Sequence, residues 1–138
     1  MYLLDTNVIS ELRKSGTNRL DQNVRRWAES VSAEHLYLSV ITMAELEMGV
    51  LSLERRDPQQ AMPLRIWLNQ VVKTHFQGRI LDITQNVASH YAQINVPNRV
   101  AVMDGLIAAT AMANNLVVVT RNTADFPTVR AINPFEFE

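Results

Sequence analysis

With 138 residues, 47% of them hydrophobic and 20% charged, the chain has room for one domain with a real core, and its composition excludes a disordered or low-complexity protein. It contains no cysteine, so disulfides and thiolate metal sites are ruled out and a reducing cytoplasm is compatible. The formal net charge of -1 argues against a uniformly basic nucleic-acid binder, and no leader pattern or bilayer-length apolar stretch is visible, so a soluble, unexported, cytoplasmic protein is expected.

Tyr2, Leu3 and Leu4 form a short apolar run that reads as a covered parallel strand. The run stops at Asp5, and Val8, Ile9 and Leu12 then recur at helical spacing. Asp5, Thr6 and Asn7 therefore occupy a strand-to-helix turn, where an open α/β sheet keeps its ligands. All three are also good helix caps, and taken alone capping is the simpler account of the turn. Gly16 is placed to stop this helix, and Leu20, Val24, Trp27 and Val31 mark a second, amphipathic one. Arg13, Lys14, Arg19, Arg25 and Arg26 crowd the same interval, with Arg55 and Arg56 as a second basic pair. Such charges are usually a solvated face; a phosphate-binding patch is the alternative.

Residues 36–41 read as the next strand. Thr42 then opens a helix, with Glu45 three residues on in the capping-box pattern. Glu45 nevertheless follows closely on a strand end, as Asp5 does, and Gly49 one turn later leaves room beside it. Glu47 points about 200° away around the helix axis, so it cannot share a pocket with Glu45. The charged run 54–58 ends this helix in a surface turn. Pro63 begins another, whose stripe of Leu64, Trp67, Leu68, Val71, Val72 and His75 makes Trp67 a core residue rather than a base-stacking platform. Gly78 closes it, residues 79–83 make a short strand, and Thr84 caps a helix built on Val87, Tyr91 and Ile94. After the loop 95–99, Asp104 precedes an alanine-rich helix. Residues 116–119 form a β-branched strand that ends in Thr120, Arg121, Asn122, Asp125 and Phe126, and 129–132 supply one more strand. Strands alternating with helices predict an α/β fold with a mainly parallel sheet.

Asp5, Glu45, Asp104 and Asp125 thus share a rule: each falls near a strand's carboxyl end or a helix start, positions that parallel strands bring to one edge. Two bare carboxylates 4 Å apart repel by about 4 kcal/mol at an effective dielectric of 20, so such a cluster needs protons or a cation. All-oxygen ligation favours Mg²⁺ or Mn²⁺ over zinc. These ions bind phosphate oxygens, lower the pKa of water and support in-line attack on phosphorus. His35, His75 and His90, at a strand entry, a helix end and mid-helix, read as structural.

The segments LLDTNVISE at 3–11, SVITMAELEMGV at 39–50, MDGLIAATA at 103–111 and VVVTRNTADF at 117–126 carry a resemblance to the PIN-domain ribonucleases, and within them to the VapC and FitB-like toxins of bacterial toxin-antitoxin pairs. Order and spacing match over nearly the whole chain. The resemblance implies a three-layer α/β/α PIN-like fold as a single domain, residues 1–138. It implies direct Mg²⁺ or Mn²⁺ ligation by Asp5, Glu45 and Asp104, with Asp125 as the family's more variable fourth acid. Thr6 and Asn7 are then the capping and supporting neighbours of the first acid, and Thr120 and Asn122 line the other side. Family members commonly have Ala after the third acid, where Gly105 stands here, a small-for-small change. Hydrolysis of RNA to 5′-phosphate and 3′-hydroxyl ends is implied, as are a cognate antitoxin, usually a small DNA-binding protein, and a toxin homodimer. Among rival classes, a phosphoacceptor receiver needs a lysine near its last strands and none follows Lys73, and a nucleotide binder needs a GxGxxG or P-loop that is missing. The serious alternative is a non-catalytic PIN-fold interaction module acting through an antitoxin/DNA-binding complex, its carboxylates serving as a socket for a partner's arginine.

Overall fold

The computed structural model describes all 138 residues and is built on five short strands: β1 (Tyr2–Leu4), β2 (Leu36–Ser39), β3 (Ile80–Leu81), β4 (Val117–Val119) and β5 (Ala131–Ile132). Every pairing is parallel, in the order β3-β2-β1-β4-β5, so β1 lies at the centre. Parallel neighbours need long crossovers, and helices supply most of them. α1 (Thr6–Leu12) and α2 (Gln22–Ser30) join β1 to β2; α3 (Val40–Arg56), α4 (Pro58–Ile66) and α5 (Lys73–His75) join β2 to β3; α6 (Gln85–Ile94) and α7 (Val102–Asn114) join β3 to β4.

Successive strand residues face opposite sides of the sheet, and the two cores follow that alternation. Leu4, Leu36, Leu38 and Val119 pack with Val8, Trp27, Leu46, Val50, Leu68 and Phe76 on one side. Leu3 and Val118 pack with Ile107, Ala108, Ala111 and Phe126 on the other. Helices cover both faces, which is the expected three-layer α/β/α arrangement. Each fully buried Leu or Val contributes on the order of 1.5–3 kcal/mol relative to exposure, so the central strands are fixed by burial from both sides. The first connection runs from β1 to β2, and the later half of the chain returns to β4 on the opposite flank. The sheet's switch point therefore lies between β1 and β4, where a crevice opens at the strands' carboxyl ends.

Several boundaries differ from the sequence expectations. β2 stops at Ser39, whose hydroxyl accepts the Ile41 N–H at 3.0 Å, so α3 begins at Val40. Thr42 is buried within the first turn, its hydroxyl without a protein partner, and there is no capping box with Glu45. Asp57 ends α3 and caps α4 by accepting the Gln60 N–H at 3.2 Å. Pro58 is thus the first residue of α4, where its missing N–H costs nothing, and Pro63 lies inside that helix rather than at its start. The helix continues through a π-helical stretch (Trp67–Val72) into α5. Leu68 and Val72 are buried, Trp67 packs half-buried against the core, and Val71 faces outward. Glu47 does turn away from Glu45: it meets Arg65 of α4 at 2.5 Å, and Arg65 also holds Glu54 at 2.9 Å. Thr84 caps α6 as expected, accepting the Val87 N–H at 3.2 Å. Asp104 sits within the first turn of α7 rather than ahead of it. No helix is long and apolar enough to cross a membrane.

Candidate active site

Asp5 is fixed first by its backbone. Its N–H donates to Val119 O at 2.9 Å, extending the β1–β4 ladder by one step, and its side chain is only 7% exposed. Asp5 Oδ1 accepts the Thr6 N–H at 2.8 Å, while Oδ2 accepts the Thr120 hydroxyl at 2.7 Å and Asn7 Nδ2 at 3.3 Å. Asp5 is therefore itself the cap of α1, and the capping role expected of Thr6 and Asn7 does not fall to them.

Thr6 instead reaches across to α3, where its hydroxyl donates to Glu45 Oε1 at 2.6 Å. Asn7 Nδ2 lies 3.4 Å from Thr120 Oγ1, and Asn7 Oδ1 accepts the Arg121 N–H at 3.1 Å. Thr120, fully buried just past β4, also accepts the Asn122 N–H at 3.1 Å. Both Thr120 and Asn122 stand on the β4 side as expected, with the hydroxyl of Thr120 on Asp5 and Asn122 contributing its backbone. Asp125 sits exposed on the 3-10 turn Thr123–Asp125.

Asp104 is half-buried on α7. Burial, and then the charges of Asp5, Asp125 and Glu45 in that order, hold its carboxyl above the ordinary value of 3.8. The other three acids, drawn from three further segments, thus lie within electrostatic reach of Asp104 near the switch of the sheet. No three of these groups stand close enough to hold one ion by themselves. None of the four is neutralised by a basic side chain either, since the fold's ion pairs are Lys14–Glu11, Arg65–Glu47 and Arg65–Glu54. An uncompensated set of hard oxygens without a closed cage suits a hydrated ion such as Mg²⁺, which takes one or two carboxylates and keeps several waters.

Sequence reasoning does not single out the framework behind Thr120. Asn133 Nδ2 donates to Arg121 O at 3.2 Å, and the Arg121 guanidinium carbon lies 4.5 Å from the Phe135 ring centroid. The one local signal was Asn133 before Pro134, a pairing that favours a turn. The largest cavity, about 320 Å³ between α1, α2 and residues 67–76, is lined by Ile9, Leu12, Val31, Trp67, Val72 and Phe76 and holds none of the four acids.

A PIN domain model matches residues 2–131. The chain is 40% identical to Toxin FitB of Neisseria gonorrhoeae, over 98% of this chain and 99% of that protein. It is 37% identical to VapC ribonuclease Y4jK of Sinorhizobium fredii, over 99% of each. Its fold matches that of FitAB bound to an IR36 DNA fragment with a TM-score of 0.86 and 37% identity, over 100% of this chain and 98% of that one.

Proposed function

The chain belongs to the PIN-domain family, and from that premise we propose that it is a divalent-metal-dependent endoribonuclease and the toxin of a toxin-antitoxin pair, with one domain spanning residues 1–138. One observation carries this reading: Asp5, fixed by the Thr120 hydroxyl at the sheet's switch point, and Glu45, held by the Thr6 hydroxyl, are brought from separate segments to one edge of the sheet with no basic side chain paired to either. A relative named as a ribonuclease supports the same reaction class.

Asp5, Glu45 and Asp104 would hold a hydrated Mg²⁺ or Mn²⁺, in part through its waters, with Asp125 as a fourth, more exposed acid. When bound, the ion supplies positive charge against phosphate oxygens and lowers the pKa of the attacking water. The chain's own residues set the geometry. An ionised carboxylate offers about four acceptor positions, and Asp5 has three of them engaged by Thr6, Asn7 and Thr120, which fixes its plane and leaves one to spare. Thr6 similarly pins one oxygen of Glu45 and leaves the other. Hydrolysis then joins water oxygen to phosphorus and breaks the bond to the 3′ oxygen, giving 3′-hydroxyl and 5′-phosphate ends. No histidine takes part: His35 precedes β2, His75 ends α5 and His90 lies in α6.

The proposed partners are an RNA substrate, a second copy of the chain and a cognate antitoxin that is a small DNA-binding protein. The likeness to FitAB on DNA supports the last. An RNA substrate and an antitoxin partner support a cytoplasmic location.

End-labelled RNA incubated with pure protein and Mn²⁺ tests the proposal. Cleavage to 5′-phosphate ends is expected, abolished by EDTA and by Asp5→Asn. Cleavage surviving either change would overturn the mechanism, and Mn²⁺ binding without single-turnover cleavage would favour the interaction module.

A further inference from the structure

Arg121 directly follows Thr120, yet it forms an ion pair with none of the four acids. Its peptide is held at both ends, the N–H by Asn7 Oδ1 at 3.1 Å and the carbonyl by Asn133 Nδ2 at 3.2 Å. Asn133 Oδ1 in turn accepts the Phe135 N–H at 2.9 Å. The side chain that fixes the Arg121 peptide therefore also fixes the residue whose ring lies under the guanidinium, 4.5 Å away. An exposed arginine normally forfeits rotamer freedom when a ligand orders it. Stacking on an aromatic ring orders it beforehand without neutralising its charge, and leaves the N–H donors at the edge of the plane for a bidentate anion.

The framework continues toward α2. Phe135 O accepts Asn23 Nδ2 at 2.7 Å, and Asn23 Oδ1 accepts a hydrogen bond from the Arg26 guanidinium. Arg26 belongs to the N-terminal basic interval and has no acidic partner. Two arginines without acidic partners thus flank the Phe135 turn, which is tied through the Arg121 carbonyl to the segment that carries Thr120. A phosphodiester chain fits such a line, because phosphate matches the guanidinium edge and every nucleotide brings another phosphate.

We propose that Arg121, stacked on Phe135, is a substrate-binding residue that takes an RNA phosphate flanking the scissile bond, and that Arg26 takes a further one, so that single-stranded RNA runs from the carboxylates over the Phe135 turn onto α2. This rests on the ribonuclease reading above. An acidic segment of a protein partner could meet the same guanidinium, but it has no reason to pass through four carboxylates.

The test is steady-state cleavage of a single-stranded RNA oligonucleotide with Mn²⁺ over a range of salt, by wild-type protein and by Arg121→Ala, Arg121→Lys, Phe135→Leu and Arg26→Ala. Arg121→Ala is expected to raise KM about tenfold and to flatten the salt dependence of log(kcat/KM) by about 0.7, one single-strand phosphate contact. Arg121→Lys should restore the salt slope without restoring KM, because charge returns and the stack does not. Phe135→Leu should raise KM with the slope kept. Arg26→Ala should flatten the slope by a similar step. Wild-type cleavage with Arg121→Ala at wild-type KM and slope would overturn this inference alone. Absence of wild-type cleavage would overturn the ribonuclease reading and this inference with it.

Discussion

Thr120 donates its hydroxyl to Asp5 Oδ2 at 2.7 Å, across the seam where β4 meets β1 and the connections of the sheet reverse direction. Both residues are buried, and the contact ties the fifth residue of the chain to one that is 115 positions later. A buried hydroxyl with three polar neighbours is a joint, and its removal should loosen both strand ends at once.

Thr120→Val keeps the β-branched shape and removes the donor. A hydrogen bond to a charged group contributes about 1.5–3 kcal/mol, so a loss of that size is expected in urea unfolding with EDTA present. Thr120→Ser should retain most of the stability. Equal stability of the Val variant and wild type would show that the contact contributes nothing.

Thr6 acts on Glu45 rather than on its own helix. Thr6→Val should weaken Mn²⁺ binding by about 10–100-fold, the usual effect of removing a group that orients a ligand, with Thr6→Ser near wild type. Isothermal titration reads this directly; unchanged affinity in the Val variant would remove Glu45 from the proposed ligand set.

Asp104 makes stability depend on pH in a definite direction. Its folded pKa is raised above the ordinary 3.8, so the folded state binds its proton more tightly than the unfolded one does. The associated stability is fully present below the ordinary value and is lost as pH rises through the elevated one. Metal-free wild type should therefore lose Tm across that window relative to Asp104→Asn, which should melt higher above it and show no stabilisation by Mn²⁺. Parallel Tm-versus-pH curves for the two proteins would refute the assignment.

Gly105 is more than a small residue beside an acid. A Cβ built there would lie 2.7 Å from Val100 Cγ2 and 3.0 Å from Tyr91 Cε1. Alanine would gain about 1 kcal/mol of helix propensity, but overpacking against a stiff β-branched side chain and a ring costs about 1–3 kcal/mol. Gly105→Ala should lower stability, and Val100→Ala added to it should recover the loss. A more stable single variant would show that the neighbours yield freely.

What the sequence discloses depends on how local the determining interaction is. Asp5 at the end of Tyr2–Leu4 is legible, because an apolar run stopping at an acid is a pattern of neighbours. So are the Thr84 cap and the outward turn of Glu47. Ser39 and Thr42 are both good caps three positions apart, and Val40 and Ile41 suit a strand as well as a helix. Burial of Thr42 under the sheet decides between them, and burial is not written locally. Pro63 inside α4 and the π-helical stretch after it belong to the same class: packing of Leu68 and Val72 carries the helix past a residue that would ordinarily begin one. The partners of Thr6 and Thr120, 39 and 115 positions distant, leave no periodic trace. Their residue types are visible in the sequence, but the contacts they make across the fold are not.

The position of β1 bears on how the protein is made. Its central strand is synthesised first, while one of its two neighbours, Val117–Val119, comes from near the other end of the sequence. A nascent chain that has not yet exposed β4 has no Thr120 to hold Asp5 and no Asp125, and α7 has no completed sheet to close against. A polypeptide interrupted before Val117 therefore carries Asp5, Glu45 and Asp104 but neither the strand that pairs with β1 on this side nor the hydroxyl that fixes Asp5, so the proposed site is assembled only when the last strands are made.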